Sequence, residues 1–139
     1  AYGPCPMTLN RSRYFANDLL KHILDEAEEA IKKGDVQANL RFGHDTALLP
    51  LTALLGLSGC NDHVTDLDSL LFYWNEYRII PMAANVQFIF YRSKKNTDIL
   101  VKVMLNEREV SLPLKSEQSP YYKWEDVKKY YRDLMNKNE

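Results

Sequence analysis

Between Arg13 and Lys33 the apolar residues Phe15, Leu19, Ile23, Leu24, Ala27, Ala30 and Ile31 recur at the spacing that places side chains on one face of a helix. Glu28 with Lys32 and Glu29 with Lys33 are i,i+4 pairs on the opposite face, and Gly34 suits the stop. The period then shortens. Val36, Ala38, Leu40 and Phe42 alternate with Gln37, Asn39 and Arg41, which predicts a strand. A leucine-rich run from Leu48 to Leu57 predicts a second helix with Pro50 in its first turn, ending near Gly56 or Gly59. Gly43, His44, Asp45 and Thr46 lie between that strand and that helix, where free N–H groups and the helix dipole favour an anion.

The rest of the chain follows the same two periods. Ala1 to Leu9 carries Pro4 and Pro6 and reads as an extended lead-in, and Ser58 to Thr65 as a polar loop. Leu67 to Tyr77 is dense in large side chains, and its period does not decide between helix and strand. After the break at Pro81, Val86, Phe88 and Phe90 alternate with Gln87, Ile89 and Tyr91. A polar turn at Lys94 to Asp98 leads to Ile99, Val101, Val103 and Leu105, with Leu100, Lys102 and Met104 on the other face. The two runs predict an antiparallel hairpin with both faces partly covered. Pro113 and Pro120 bracket a linker, and Ser119-Pro120 opens a terminal helix with Trp124, Val127, Tyr131, Leu134 and Met135 on one face. Alternating helices and strands without a repeat predict one α/β domain over residues 1–139, built in layers around a mixed sheet.

Composition narrows the partners. A chain of 139 residues with 45% hydrophobic and 27% charged positions is ordinary for a soluble globular domain. A formal net charge of -1 argues against nucleic acid as the main partner. Lys94, Lys95, Lys128, Lys129 and Lys137 read as solvated faces offset by nearby acids. No apolar run reaches the roughly 20 residues of a membrane span, and no signal pattern opens the chain, so an export signal would lie outside it. Cys5 and Cys60 fit either one disulfide or two thiols.

His44 and Asp45 are the sharpest candidates for chemistry. A carboxylic acid placed to protonate the alkoxide leaving from a phosphomonoester is worth about 10²–10⁴-fold in rate. An adjacent imidazole donates to a phosphoryl oxygen. On local sequence alone a second reading stands and is the commoner one: Asp45 caps the helix and His44 is a loop histidine. Cys60, Asp62 and His63 form a weaker metal candidate, without the second ligand pair that closed zinc sites use. There is no Gly-x-Ser-x-Gly elbow and no phosphate-cradling Gly-rich loop, and nothing calls for a cofactor. The aromatic cluster from Phe72 to Tyr77 fits packing better than a ligand wall.

The run Leu40-Arg41-Phe42-Gly43-His44-Asp45-Thr46-Ala47-Leu48-Leu49-Pro50-Leu51 resembles the second active-site motif of the histidine acid phosphatases. It is most similar to the multiple inositol-polyphosphate phosphatase and phytase branch. The resemblance continues through Ile79 to Asn85, the strand to Tyr91, Val103 to Glu107 and the segment from Tyr121 to Lys128. It implies the C-terminal part of a phosphoglycerate mutase-like, three-layer α/β/α fold and an exported phosphatase, periplasmic, secreted or lumenal, acting on inositol polyphosphates such as phytate. His44 would bind phosphate and Asp45 would donate the proton, with Thr46 and Arg41 at the substrate. Animal members of the branch carry His-Ala-Glu, which would set the acid at the position of Thr46.

In this family a histidine of an Arg-His-Gly-x-Arg motif attacks phosphorus and becomes phosphohistidine. No Arg-His-Gly occurs in the 139 residues, and His22 has no such surroundings. The resemblance therefore implies that the nucleophile and the N-terminal part of the domain lie outside this chain, which alone would be inactive. Strands separated from that part would expose sheet edges and self-associate. The alternative from another class is a non-catalytic module that holds a phosphate or another anion.

Overall fold

The computed structural model describes residues 9–35, 38–60, 79–94 and 97–137. Helix α1 spans Leu9–Lys33 and buries Ala16, Leu20 and Leu24; of these only Leu24 is on the predicted face, which is turned by about one residue, leaving Leu19 and Ile23 half-buried and Phe15 53% exposed. It stops at Gly34, whose N–H makes a last helical bond of 2.9 Å to the Ala30 carbonyl and whose φ of 70° then turns the chain out of the helix. Helix α2 spans Asp45–Leu55 and buries Leu51, Thr52 and Leu55. Its stop is Gly56 at φ 62°, with N–H groups of Gly56 and Leu57 on the carbonyls of Ala53 and Thr52, the paired bonds of a Schellman ending. A Cβ at Gly56 would stand 3.1 Å from Pro113 Cγ, so the turn needs glycine for space as well as for its φ.

Strands β1 (Val86–Arg92) and β2 (Ile99–Leu105) form the expected antiparallel hairpin, in a register pairing Val86 with Leu105 and Arg92 with Ile99. A tight turn at Asn106 and Glu107, both at positive φ, leads into the two-residue strand β3 (Arg108–Glu109). Strand β4 (Tyr122–Lys123) then pairs with the other end of β2, and α3 (Trp124–Asn136) follows at once. Because β1 runs the whole length of β2, β3 and β4 share its opposite edge. Every strand pair among the described residues is antiparallel.

The core draws on each layer. Leu20 and Leu24 of α1, Leu55 of α2, Val101 and Val103 of β2, and Val127 and Tyr131 of α3 are at most 1% exposed. Phe90 meets Trp124 edge to face at 5.0 Å, bringing the start of α3 onto the core face of the hairpin. The Tyr131 hydroxyl donates to the Leu55 carbonyl at 2.6 Å, tying α3 to the last turn of α2. Burial, with Tyr130 and Tyr122 beside it, pushes that phenol well above its ordinary value, so it stays a donor at neutral pH. On the outer side Glu28 of α1 accepts from Lys128 at 3.3 Å and Arg132 at 3.1 Å.

The structure departs from the sequence pattern in several places. The predicted strand at 36–42 is not one: residues 38–44 run outside any sheet, and Val36 and Gln37 lie outside the described residues. Leu40 and Phe42 are 75% and 94% exposed, so the apolar face is present without the second strand its backbone would pair with. Helices packed beside the antiparallel sheet of the described residues are consistent with the expected α/β class. Pro50 sits in the second turn of α2, because the helix begins at Asp45, five residues earlier than Pro50. The N–H it lacks would have bonded the carbonyl of exposed Thr46, which water can reach. Ser119-Pro120 turns into β4 and does not open α3. The proline-bracketed linker is packed: Leu112 is buried and its N–H donates to the Tyr122 hydroxyl at 3.0 Å. The aromatic run from Leu67 to Tyr77 lies outside the described residues.

Segment 38–44 is held along α1 by one carboxylate. Glu26 accepts from Arg41 at 2.7 Å and from the Asn39 amide at 2.6 Å. These hydrogen bonds, Arg41 first and Asn39 second, hold the Glu26 carboxyl below its ordinary value of 4.5.

Both ties can be broken singly. Tyr131→Phe leaves the Leu55 carbonyl unpaired in the core and should lower stability by about 1–2 kcal/mol in urea unfolding; an unchanged midpoint would show that the bond contributes nothing. A carboxyl depressed in the folded state stabilises above its unfolded pKa and loses that contribution as pH falls through the folded value. The Arg41 Nε–H resonance should therefore move toward its free position below the ordinary glutamate range, and Glu26→Gln should show the released position at pH 7; a pH-independent signal would exclude the clamp.

Candidate active site

The corner between segment 38–44 and α2 is made by the backbone. His44 occupies the N-cap position with φ -108° and ψ 166°, extended, so the chain enters the helix at a sharp angle. Its carbonyl accepts the N–H groups of Ala47 at 3.0 Å and Leu48 at 3.2 Å. Its imidazole makes no cap bond and has no partner among the described residues. Asp45 is the first helical residue, and its Oδ1 accepts the Thr46 N–H at 2.7 Å.

The first turn of α2 is therefore less open to an anion than the sequence suggests. The N–H of Thr46 is taken by Asp45, and those of Ala47 and Leu48 by the His44 carbonyl. What remains is the Asp45 N–H, the positive end of the helix dipole and the imidazole. The capping role considered for Asp45 is present in part, since its carboxylate satisfies one early donor from the first turn, and His44 holds the cap position itself.

All the predicted site residues are exposed: Arg41, His44, Asp45 and Thr46 line the open corner. His44 and Asp45 are adjacent there and both reach solvent, whereas the Arg41 guanidinium is turned to Glu26 on α1. Sequence reasoning missed Glu26, for which a single carboxylate on an amphipathic helix gives no signal. It also missed a clasp between two separate segments: Asn106 Oδ1 accepts the Asn85 N–H at 3.1 Å, and Asn106 Nδ2 donates to the Ile79 carbonyl at 2.8 Å. Ile79 to Asn85 and Val103 to Glu107 are thereby neighbours in space.

Other candidates are weaker. Cys60 is buried, and Asp62, His63 and Cys5 lie outside the described residues. Among the described residues no group of three or more His, Cys, Asp or Glu side chains is placed to hold a metal. No helix among them is long and apolar enough to cross a membrane.

Comparison with known proteins finds relatives over most of the chain. The chain is 28% identical over 128 residues to multiple inositol polyphosphate phosphatase 1 of Homo sapiens, covering 85% of this chain and 26% of that protein. It is 28% identical over 105 residues to multiple inositol polyphosphate phosphatase 1 of Gallus gallus, covering 69% of this chain and 22% of that protein. The chain thus spans about a quarter of the length of these curated relatives. The family model for the histidine phosphatase superfamily (branch 2) matches residues 4–106, which take in α1, the His44-Asp45 corner and the β1–β2 hairpin. With that match over most of its length, the chain belongs to the histidine phosphatase superfamily, branch 2.

Proposed function

We propose that this chain is the C-terminal part of a phosphomonoesterase domain and supplies the proton-donor side of its site. The observation that carries the reading is that the family match includes a corner where an imidazole without a partner among the described residues stands beside a carboxyl at a helix start. His44 donates to a nonbridging phosphoryl oxygen, and the helix dipole adds to the stabilisation of its charge. A histidine outside these 139 residues attacks phosphorus as the bond to the ester oxygen breaks. Asp45 delivers its proton to the departing alkoxide and, as carboxylate, takes one from the water that then releases phosphate from the phosphohistidine. No cofactor enters these steps.

Inositol polyphosphates, phytate among them, are the proposed substrates, on the printed names of the relatives. Thr46 and Arg41 stand at the rim, and Arg41 meets a phosphate only by leaving Glu26. The missing part of the domain also covers the open corner and pairs with segment 38–44 and the outer edge of β1, which have no strand partner among the described residues and through which the isolated chain self-associates. The proposed location is outside the cytosol, periplasmic, secreted or in the secretory lumen, as the resemblance implies.

A second reading, a non-catalytic anion-binding module, predicts that the longer protein carries no Arg-His-Gly motif upstream of these residues. In the longer protein, Asp45→Asn should reduce kcat on phytate by about 10²–10⁴-fold, and a rate equal to the parent's would remove Asp45 from the donor role. The purified 139-residue chain should release no phosphate; turnover by it near the longer protein's rate would refute the half-site. A longer protein that binds phosphate and never turns over phytate would favour the module.

A further inference from the structure

We propose that a groove between the last turn of α1 and the β1–β2 hairpin is a second anion site, shaped for a small molecule carrying two or more phosphate groups. The groove is about 550 Å³ in volume. That exceeds the room one phosphate needs and falls within the range of small-molecule pockets. Lys32, Arg92 and Lys94 give its wall three cations, Ser93 and Thr97 add hydroxyls, and Ile31 and Ile99 form an apolar floor. Among the described residues no carboxylate lines it.

The cations differ in how they are held. Arg92 is fixed, because its Nη2 donates to the Ile31 carbonyl at the end of α1. A guanidinium has five N–H donors, so others remain for a ligand, in the fork geometry that suits phosphate. Its other terminal nitrogen, Nη1, lies beside Gly34, at ordinary contact distance of 3.6 Å from where a Cβ would be. Lys32 reaches Glu28 at 3.3 Å with its side chain 74% exposed, leaving it free to swing. Lys94 has no partner among the described residues.

Three sources of opposing charge lie close in the chain: the end of α1, Asp98, and the exposed Asp35 that follows Gly34. A helix C-terminus carries partial negative charge, but here the Ala30 carbonyl is taken by Gly34 and that of Ile31 by Arg92. Asp98, next to Thr97, is 4.0 Å from Lys123. The groove is also distinct from the His44-Asp45 corner. Its lining among the described residues includes none from segment 38–44 or α2, and Asn39 and Arg41 of that segment meet α1 at Glu26, ahead of Ile31. The proposal does not rest on the phosphatase reading.

The test is a titration of the ¹⁵N-labelled chain with inorganic pyrophosphate at constant ionic strength, read by amide chemical shifts. Saturable shifts are expected at Lys32, Gly34, Arg92 and Thr97. Lys94→Glu should weaken binding by about tenfold or more with the rest of the spectrum unchanged, and His44→Ala should leave groove binding unchanged. Shifts reproduced by sodium chloride, shifts confined to residues 43–47, or full affinity in Lys94→Glu would each overturn the site. If the short chain associates, calorimetry on the longer protein, with Lys94→Glu compared in a His44→Ala background, separates the same outcomes.

Discussion

The structure depends on β2 being hydrogen-bonded along both edges. β1 covers one edge over its full length, and the two short strands β3 and β4 divide the other. A strand buried on its core face has no water for its backbone groups, so both edges must be filled by protein. The route of the chain after β2 follows from this. It turns tightly at Asn106 and Glu107 to form β3, passes through the packed stretch around Leu112, and returns at β4 before α3 begins. From α3 the Tyr131 hydroxyl reaches the C-terminal turn of α2. The direction in which α2 presents His44 and Asp45 is therefore inherited from contacts at the helix's other end.

Periodicity made the long elements legible. Leu24, Val101 and Val103, and Val127 and Tyr131 lie on the faces that their spacing assigned, because burial of one face is what the pattern records, whereas on α1 the apolar stripe is broad enough that Leu20 is buried and Phe15 is not. What the pattern could not record was pairing. Alternation at Val36 to Phe42 is a property of the segment, whereas a strand needs a second segment, and the described residues contain none for it. The short strands were missed for the reverse reason: two residues carry no period, and β3 and β4 exist because β2 offers an edge. Prolines marked irregular backbone at Pro113 and Pro120 but gave no hint that Leu112 beside them is core.

At the corner, the sequence identified the residues and left out their bonding. His44 and Asp45 stand together and exposed, as consecutive residues at the entry to a helix do. The identity of the cap and the use of the Thr46 N–H by Asp45 depend on dihedral angles that residue types do not fix. Ion pairing was the least legible feature. Glu26, Glu28 and Arg92 each find partners on another element, Arg41, Lys128 and the end of α1, through sequence separations that no local window spans.

The Glu26 clamp has an entropic consequence for segment 38–44. Fixing the backbone of one residue costs roughly 1–2 kcal/mol at 25 °C, and in a free segment this would be charged entirely to the moment at which a partner strand arrives. With Asn39 and Arg41 already tethered to α1, part of that loss has occurred during folding of the chain itself. A strand pairing with this segment meets a preorganised template and retains more of its hydrogen-bond free energy as affinity.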